Sequence, residues 1–392
     1  MADFYTQILT ISTFVLIFTL ISKLIKDSLY LPESLVSLIF GILVGKHVLQ
    51  IIQINPYSLF FISRMILSVQ TMNVSLSLPR KYVSQHYPSL LVLVLVLGCI
   101  KCLFTFLILC IFKSLSFTEC WHLASSLTPT DPILCSSIIK GKLKIPNRIR
   151  TLLLAESGIN DGLGIILLSI PENPNVESFL YDIIFFKIVL SSACGLLLGF
   201  FAKSFYKFCY RRSLIGMDAF VIHTFLLVLV SIGLMEIIGG SEFICIFFCG
   251  IQFSSDEFIS IEYDRNMQDT VDLLISASFF VIFGSTLDFT FNLKEILTGL
   301  LIICVRRPLI CYFLCDIIKD LRNKKEGLFV GWFGPIGVGA IYYSMMVDYK
   351  YGSNLYVYAS KIVFLSVCVH GMTVLVYKII CRMNHDQEML VF

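Results

Sequence analysis

The chain has 392 residues, 57% of them hydrophobic and 15% charged, whereas ordinary soluble domains carry about 25% charged residues. This composition excludes a water-solvated globular domain, and a net charge of +3 leaves no footprint for nucleic acid. The fourteen cysteines fall mostly inside apolar stretches, including Cys99, Cys102, Cys110, Cys194, Cys245, Cys249, Cys304 and Cys368. That spacing excludes a zinc site or a secreted disulfide scaffold, and the thiols read as small membrane hydrophobes.

The first apolar segment has neither a basic leader nor a small-residue cleavage pattern, so it reads as a span and not as a removed signal peptide. A span needs about 20 apolar residues. With that ruler the predicted spans are 8–25, 29–49, 57–78, 88–112, 118–139, 149–170, 179–202, 215–237, 241–255, 267–287, 293–318, 327–347 and 355–377, the ninth being short enough to be re-entrant. The expected fold is an all-α membrane protein of about thirteen transmembrane helices in a single polytopic domain, followed by a short tail at 378–392.

Basic loop residues mark the cytoplasmic side of a membrane protein. Twenty of the thirty Lys and Arg fall in loops on one side, five of them between Lys140 and Arg150, while the other side holds only Lys46, Lys113, Lys294 and Lys350. This bias predicts an outer N-terminus and a cytoplasmic C-terminus, with the acidic loop at 256–265 fitting least well. Arg64, Lys101, Lys187, Arg306, Arg307 and Lys361 lie within or near spans. Each needs a partner or a snorkelling route, because a charge at the bilayer centre costs about 2.5–3.5 kcal/mol on insertion scales.

The fifth span contains Leu127-Thr128-Pro129-Thr130-Asp131-Pro132. Pro129 and Pro132 have no N–H, so the carbonyls of Ser125 and Thr128 lose their helical partners. Exposed backbone at that depth is tolerated only in a cavity or inside protein, and freed carbonyls beside a carboxylate suit a hard cation. The twelfth span contains Gly331-Trp332-Phe333-Gly334-Pro335-Ile336-Gly337-Val338-Gly339 and should also be interrupted. If 179–202 is a linker helix, the rest divides into two six-helix repeats, about 8–170 and 215–377, with a break in the fifth helix of each. Matched breaks point to inverted repeats crossing at a midplane site; the plainer alternative is helices kinked only for packing.

The sixth span contains Glu156-Ser157-Gly158-Ile159-Asn160-Asp161-Gly162. Ser157, Asn160 and Asp161 share one helical face. Glu156 lies beside Asn160 but about 140° from Asp161, so the two acids should have different tasks. Arg306 and Arg307 precede Pro308 in the eleventh span, and one guanidinium is expected to reach Glu156, since an unpaired buried arginine is costly. Adjacent residues point about 100° apart, so only one should do so. Structural salt bridging alone is the plainer reading of these charges.

At these residues the sequence resembles the cation/proton antiporter superfamily, in particular the fungal plasma-membrane sodium/proton antiporters. The similarity is carried by Thr128 through Pro132, Glu156 through Gly162 and Gly331 through Ala340. Weaker agreement covers Leu78-Pro79-Arg80-Lys81, Ser278-Phe279-Phe280, Arg306-Arg307 and Val369-His370-Gly371. The resemblance implies a homodimer with a scaffold and a mobile core, exchanging sodium or lithium, with potassium a further candidate, for protons. It implies that Asp161 is the exchanging carboxylate, that Asn160, Ser157, Thr130 and Asp131 line the cation site, and that Glu156 pairs with an arginine of span eleven. Ser241-Glu242 stands where such proteins commonly have consecutive acids, and Pro308 follows the arginine pair without an intervening residue. A long hydrophilic tail of the kind many relatives carry is not expected.

The expected activity is alternating-access antiport at the plasma membrane, with no enzyme chemistry and no cofactor beyond the transported ions. A cation channel is a rival class, and a steady conductance without counter-transport would favour it. An intramembrane aspartyl protease using Asp131 and Asp161 is a second rival; a Gly-x-Gly-Asp signature is missing, and Pro129 and Pro132 suit ion ligation better.

Overall fold

The computed structural model describes residues 2–25, 28, 31–79, 81–112, 115–132, 134–135, 145–172, 175–216, 219–256 and 265–383. The basic loop at Lys140, Lys142 and Lys144, together with Lys26, Arg80, Lys113, most of the acidic 256–265 loop and the end of the tail, lies outside these residues.

Among the described residues the regular structure is helical. We number the principal helices α1 (Ala2–Leu24), α2 (Glu33–Val44), α3 (Pro56–Ser77), α4 (Tyr87–Phe112), α5 (Phe117–Ser126), α6 (Asn147–Ser169) and α7 (Val176–Arg211). The second group is α8 (Ala219–Ile238), α9 (Glu242–Phe253), α10 (Arg265–Thr286), α11 (Leu293–Leu314), α12 (Lys324–Trp332), α13 (Val338–Tyr351) and α14 (Leu355–Met383). Among the described residues, eight helical stretches are long and apolar enough to cross a membrane, and Glu33–Val44, Glu242–Phe253 and Leu273–Thr286 are shorter apolar helices. The ninth predicted span is thus a helix of 12 residues, and the seventh is longer than expected, running over 36 residues.

Both predicted interruptions are present. α5 ends at Ser126 and the chain runs non-helically to Asp131, and α12 and α13 are separated at 333–337. In each case proline removes an N–H the helix would need, and at the second break Gly334 and Gly337 also lower the cost of leaving the helix.

Apolar burial does not drive helices together inside lipid, so close backbone approach must do so. A Cβ on Gly41 would lie 2.2 Å from the Val281 carbonyl oxygen, and one on Gly284 2.5 Å from that of Leu38, which fixes α2 against α10. Gly195 and Gly199 do the same for α7 on α9, at 2.3 Å and 2.4 Å from the carbonyls of Cys245 and Cys249. Large apolar side chains such as Leu20, Leu197, Phe205 and Ile237 point outward, as they do when lipid is the solvent.

Candidate functional site

The two interruptions touch. The backbone N–H of Asp131 donates to the Pro335 carbonyl at 2.9 Å, joining the first break to the second. Asp131 Oδ1 accepts from the N–H of Leu134 at 3.1 Å, and Oδ2 from the N–H of Val338 at 3.0 Å. The Val338 N–H opens α13, where the helix has no partner of its own for it and the backbone dipole favours an anion. The sequence places Asp131 among the cation-lining residues; the structure gives both its carboxylate oxygens to backbone N–H groups. Gly337 makes this approach possible, since a Cβ there would lie 2.0 Å from Asp131 Oδ2.

Carbonyls at the end of α5 have the opposite polarity and attract cations. Arg306 Nη1 donates to the Leu127 carbonyl at 3.2 Å and to Thr105 Oγ1 at 2.9 Å. Lys101 Nζ donates to the Thr128 carbonyl at 3.2 Å. The Thr128 carbonyl released by Pro132, expected from sequence to be available to a transported ion, is therefore taken by a lysine of the protein itself.

Arg307, not Arg306, meets Glu156, with Nη2 2.7 Å from Oε2. Lys101 Nζ stands 4.0 Å from the other oxygen. All four side chains are buried, so the ion pair and the carbonyl caps together balance a cluster richer in cations than in acids. Gly334 gives the Arg307 guanidinium its place: a Cβ there would lie 1.2 Å from Nη1. The wide π-helical turn at Ile302–Arg306 leads directly into the arginine pair, and its two residues serve separate partners.

The remaining predicted residues converge on α6. Asn160 Nδ2 donates to Glu156 Oε1 at 3.2 Å and to Thr130 Oγ1 at 3.3 Å, and the Thr130 and Ser157 hydroxyls are 3.1 Å apart. An ionised carboxylate only accepts, so the amide nitrogen must face Glu156, and Asn160 Oδ1 is turned away. That oxygen and Asp161 Oδ1 are buried acceptors with no hydrogen-bond partner among the described residues. Thr71 Oγ1 lies 3.1 Å from Asp161 Oδ2, the Tyr343 hydroxyl donates to the Asp161 backbone carbonyl, and a Cβ on Gly339 would sit 3.5 Å from Asp161 Oδ1. The structure thus brings Thr130, Ser157, Asn160 and Asp161 together where the two breaks cross.

Three contributors escape the sequence reading. Lys101 stands out only as a charge needing a partner. Thr71 stands with Gln70 and Asn73, three polar residues close together within α3, which is a usable signal. Tyr343 shows none, because an aromatic in an apolar helix is unremarkable. Of the other intramembrane cations, Arg64 meets Glu236 and Glu242, and Lys361 meets Glu295 at 2.8 Å.

A buried polar site at the crossing of two interrupted helices, within a bundle of apolar spans, marks a multi-pass membrane protein of the broken-helix class. Residues 11–377 match the family model described as sodium/hydrogen exchanger, transmembrane, and the chain belongs to that family. It is 31% identical over 371 residues to Na(+)/H(+) antiporter 2 of Zygosaccharomyces rouxii, covering 86% of this chain and 45% of that protein. It is 29% identical over 365 residues to the Na(+)/H(+) antiporter of Saccharomyces cerevisiae, covering 86% of this chain and 37% of that one. The chain thus spans less than half the length of these relatives. In fold it is similar to the sodium proton antiporter MjNhaP1 of Methanocaldococcus jannaschii, with a TM-score of 0.74, 18% identity, and coverage of 97% of this chain and 98% of that one.

Proposed function

We propose that the protein is a sodium/proton antiporter in which one carboxylate, Asp161, binds either a proton or a cation. The observation that carries this reading is the pair of buried acceptors without hydrogen-bond partners, Asp161 Oδ1 and Asn160 Oδ1. A buried acceptor without a partner is costly, and more so when charged. A proton on Asp161, or a dehydrated cation bridging the two oxygens, removes that cost, and the two occupants exclude one another. The hydroxyls of Ser157 and Thr130 complete a hard, oxygen-only ligand set that suits sodium and lithium and tolerates potassium. Asp131 borders the site as the cap of the crossed breaks.

In this reading the spans form thirteen helices in two inverted repeats, and the site is exposed alternately to either side of a plasma membrane. The cytoplasmic C-terminus follows from the basic loops. The protein acts as a homodimer, and its transported ions are its only ligands. With Asn160 beside Asp161, one carboxylate exchanges, which gives one cation per proton and a cycle without net charge movement. Glu156 is fully committed to Arg307, Lys101 and Asn160 and carries no transported ion.

The test is purified protein in liposomes with imposed sodium, lithium or potassium gradients, read by a pH dye and a potential dye. Cation-driven proton flux that is lost in Asp161→Asn is the expected result. A steady conductance without proton counter-flow, or retained exchange in that variant, rules the reading out.

A further inference from the structure

A second polar cluster sits on α3 away from the cation site. Arg64 Nε donates to Glu242 Oε1 at 3.0 Å, and Arg64 Nη2 to Glu236 Oε2 at 2.5 Å. The Glu236 side chain is 67% exposed and that of Glu242 5%, so Glu242 is the buried partner. The same Glu242 oxygen accepts a hydrogen bond from the Tyr342 hydroxyl at 3.2 Å.

These bonds join two groups of helices. Glu242 opens α9, which packs on α7 and α3, whereas Tyr342 lies on α13, which packs on α14, α5 and α3. Along α3 the contacts toward α13 and α6 form a seam: Thr71 reaches Asp161, Leu67 follows one turn away, Arg64 meets the Tyr342 partner, and Phe60 stacks on Tyr342 and Tyr349. At 1.5 Å per residue the Arg64 cluster stands about 10 Å along α3 from Thr71. It therefore lies between the cation site and the end of the bundle marked by Lys350, the end assigned outside by the basic loops. Tyr342 also adjoins Tyr343, whose hydroxyl holds the Asp161 backbone carbonyl. One turn of α13 thus carries both the contact to Glu242 and the contact to the helix of the site.

We infer that Arg64, Glu242 and Tyr342 form a latch that closes the outer access path to Asp161, and that the Tyr342–Glu242 hydrogen bond must break each time the site opens outward. The inference rests on the alternating-access reading above and adds to it the side of the closure and the residues that make it. Glu242 serves because its charge is retained by Arg64 when Tyr342 leaves. Neither state of the latch then strands an unpaired buried acid.

The test uses the full-length protein with its native cysteines replaced and Leu67→Cys introduced, since Leu67 is 1% exposed and lies between the latch and the site. A membrane-impermeant thiol reagent is applied to intact cells and to inside-out vesicles. Tyr342→Phe removes the hydroxyl alone, and a hydrogen bond to a charged group is strong enough that labelling from outside should rise roughly tenfold or more, with labelling from inside unchanged or slower. Glu242→Gln, which keeps the shape, should act in the same direction and covers the case in which Tyr342→Phe folds poorly. Unchanged outside labelling in both variants, or acceleration only from inside, overturns the latch. The readout needs no transport: if the parent protein shows the labelling response but no cation-driven proton flux, the antiport reading fails and the latch stands.

Discussion

Thr71 faces Asp161 with a single hydroxyl proton, for which the Leu67 carbonyl is a second acceptor. The Thr71 hydroxyl lies 3.1 Å from Asp161 Oδ2 and 2.9 Å from the carbonyl of Leu67 in its own helix. It has a single hydrogen to give and lone pairs to receive one. When Asp161 is ionised, Thr71 donates to it; when Asp161 is protonated, the carboxylic acid can donate and the threonine proton turns to Leu67. Thr71→Val keeps the shape and removes both options. A hydrogen bond to a charged group contributes about 1.5–3 kcal/mol, so apparent cation affinity should fall roughly tenfold to a hundredfold. The KM for sodium-driven proton flux in liposomes checks this, with thermal unfolding as the control for folding.

Arg307→Ala leaves Glu156 without its guanidinium in a dry site, and removing one partner of a buried pair costs about 3–5 kcal/mol. The melting temperature in detergent should fall steeply. Helical spacing lets only one of the two arginines reach Glu156, and the structure gives the other its own partners: Arg306 is buried on the Leu127 carbonyl and Thr105. Arg306→Ala should therefore also destabilise measurably. A melting temperature equal to wild type for Arg306→Ala would contradict the carbonyl-capping role.

Asp161→Asn preserves volume and the contact with Thr71 while removing the titrating charge. Proton exchange should vanish while the protein remains folded by gel filtration and thermal unfolding. In the wild type, flux measured in liposomes clamped at different potentials should be insensitive to voltage. Strong voltage dependence would remove the one-for-one stoichiometry and leave the role of Asp161 intact.

Gly337→Ala adds a methyl group where the Asp131 carboxylate already sits 2.0 Å from the new atom. Overpacking of this kind costs about 1–3 kcal/mol. The strain falls on the junction of the two breaks, so both transport rate and melting temperature should drop. Gly352→Ala, with nothing within 4 Å of its Cβ, is the comparison in which transport should persist. Gly352 has a φ of +66°, where an alanine is strained by about 1–2 kcal/mol, so stability should fall there too and transport rate is the readout that separates the two variants.

Asp288, in the loop between α10 and α11, offers a pH signature away from the site. Partial burial raises its pKa, but the Thr290 N–H at 3.2 Å and the Lys46 ammonium at 4.0 Å outweigh that and hold the carboxyl below its usual range. A depressed acid stabilises the fold above its unfolded-state pKa, about 3.9, and loses that contribution as pH falls through the lower folded value. Wild type should melt above Asp288→Asn at pH 6, and the two melting curves should converge as pH drops below about 4.

The sequence alone determined that the chain is a helical membrane protein interrupted at Pro129, Pro132 and Pro335, because low charge and missing backbone donors are local properties that any fold must accommodate. It also placed Ser157, Asn160 and Asp161 on one face, because helical spacing is fixed by geometry. Tertiary structure decided which long-range partners these groups receive. That Arg307 takes Glu156 and Arg306 takes the Leu127 carbonyl depends on how α11 rotates through its wide turn beside α4 and α5, and residue spacing within one helix does not contain that rotation. That Asp131 gives Oδ2 to Val338 depends on α13 arriving from 207 residues away in sequence, whereas its bond to the Leu134 N–H is local. Thr71 and Tyr343 reach Asp161 for the same reason: they stand on helices distant in the chain, and only the packing of α3 and α13 against α6 makes a hydroxyl in an apolar helix part of a cation site.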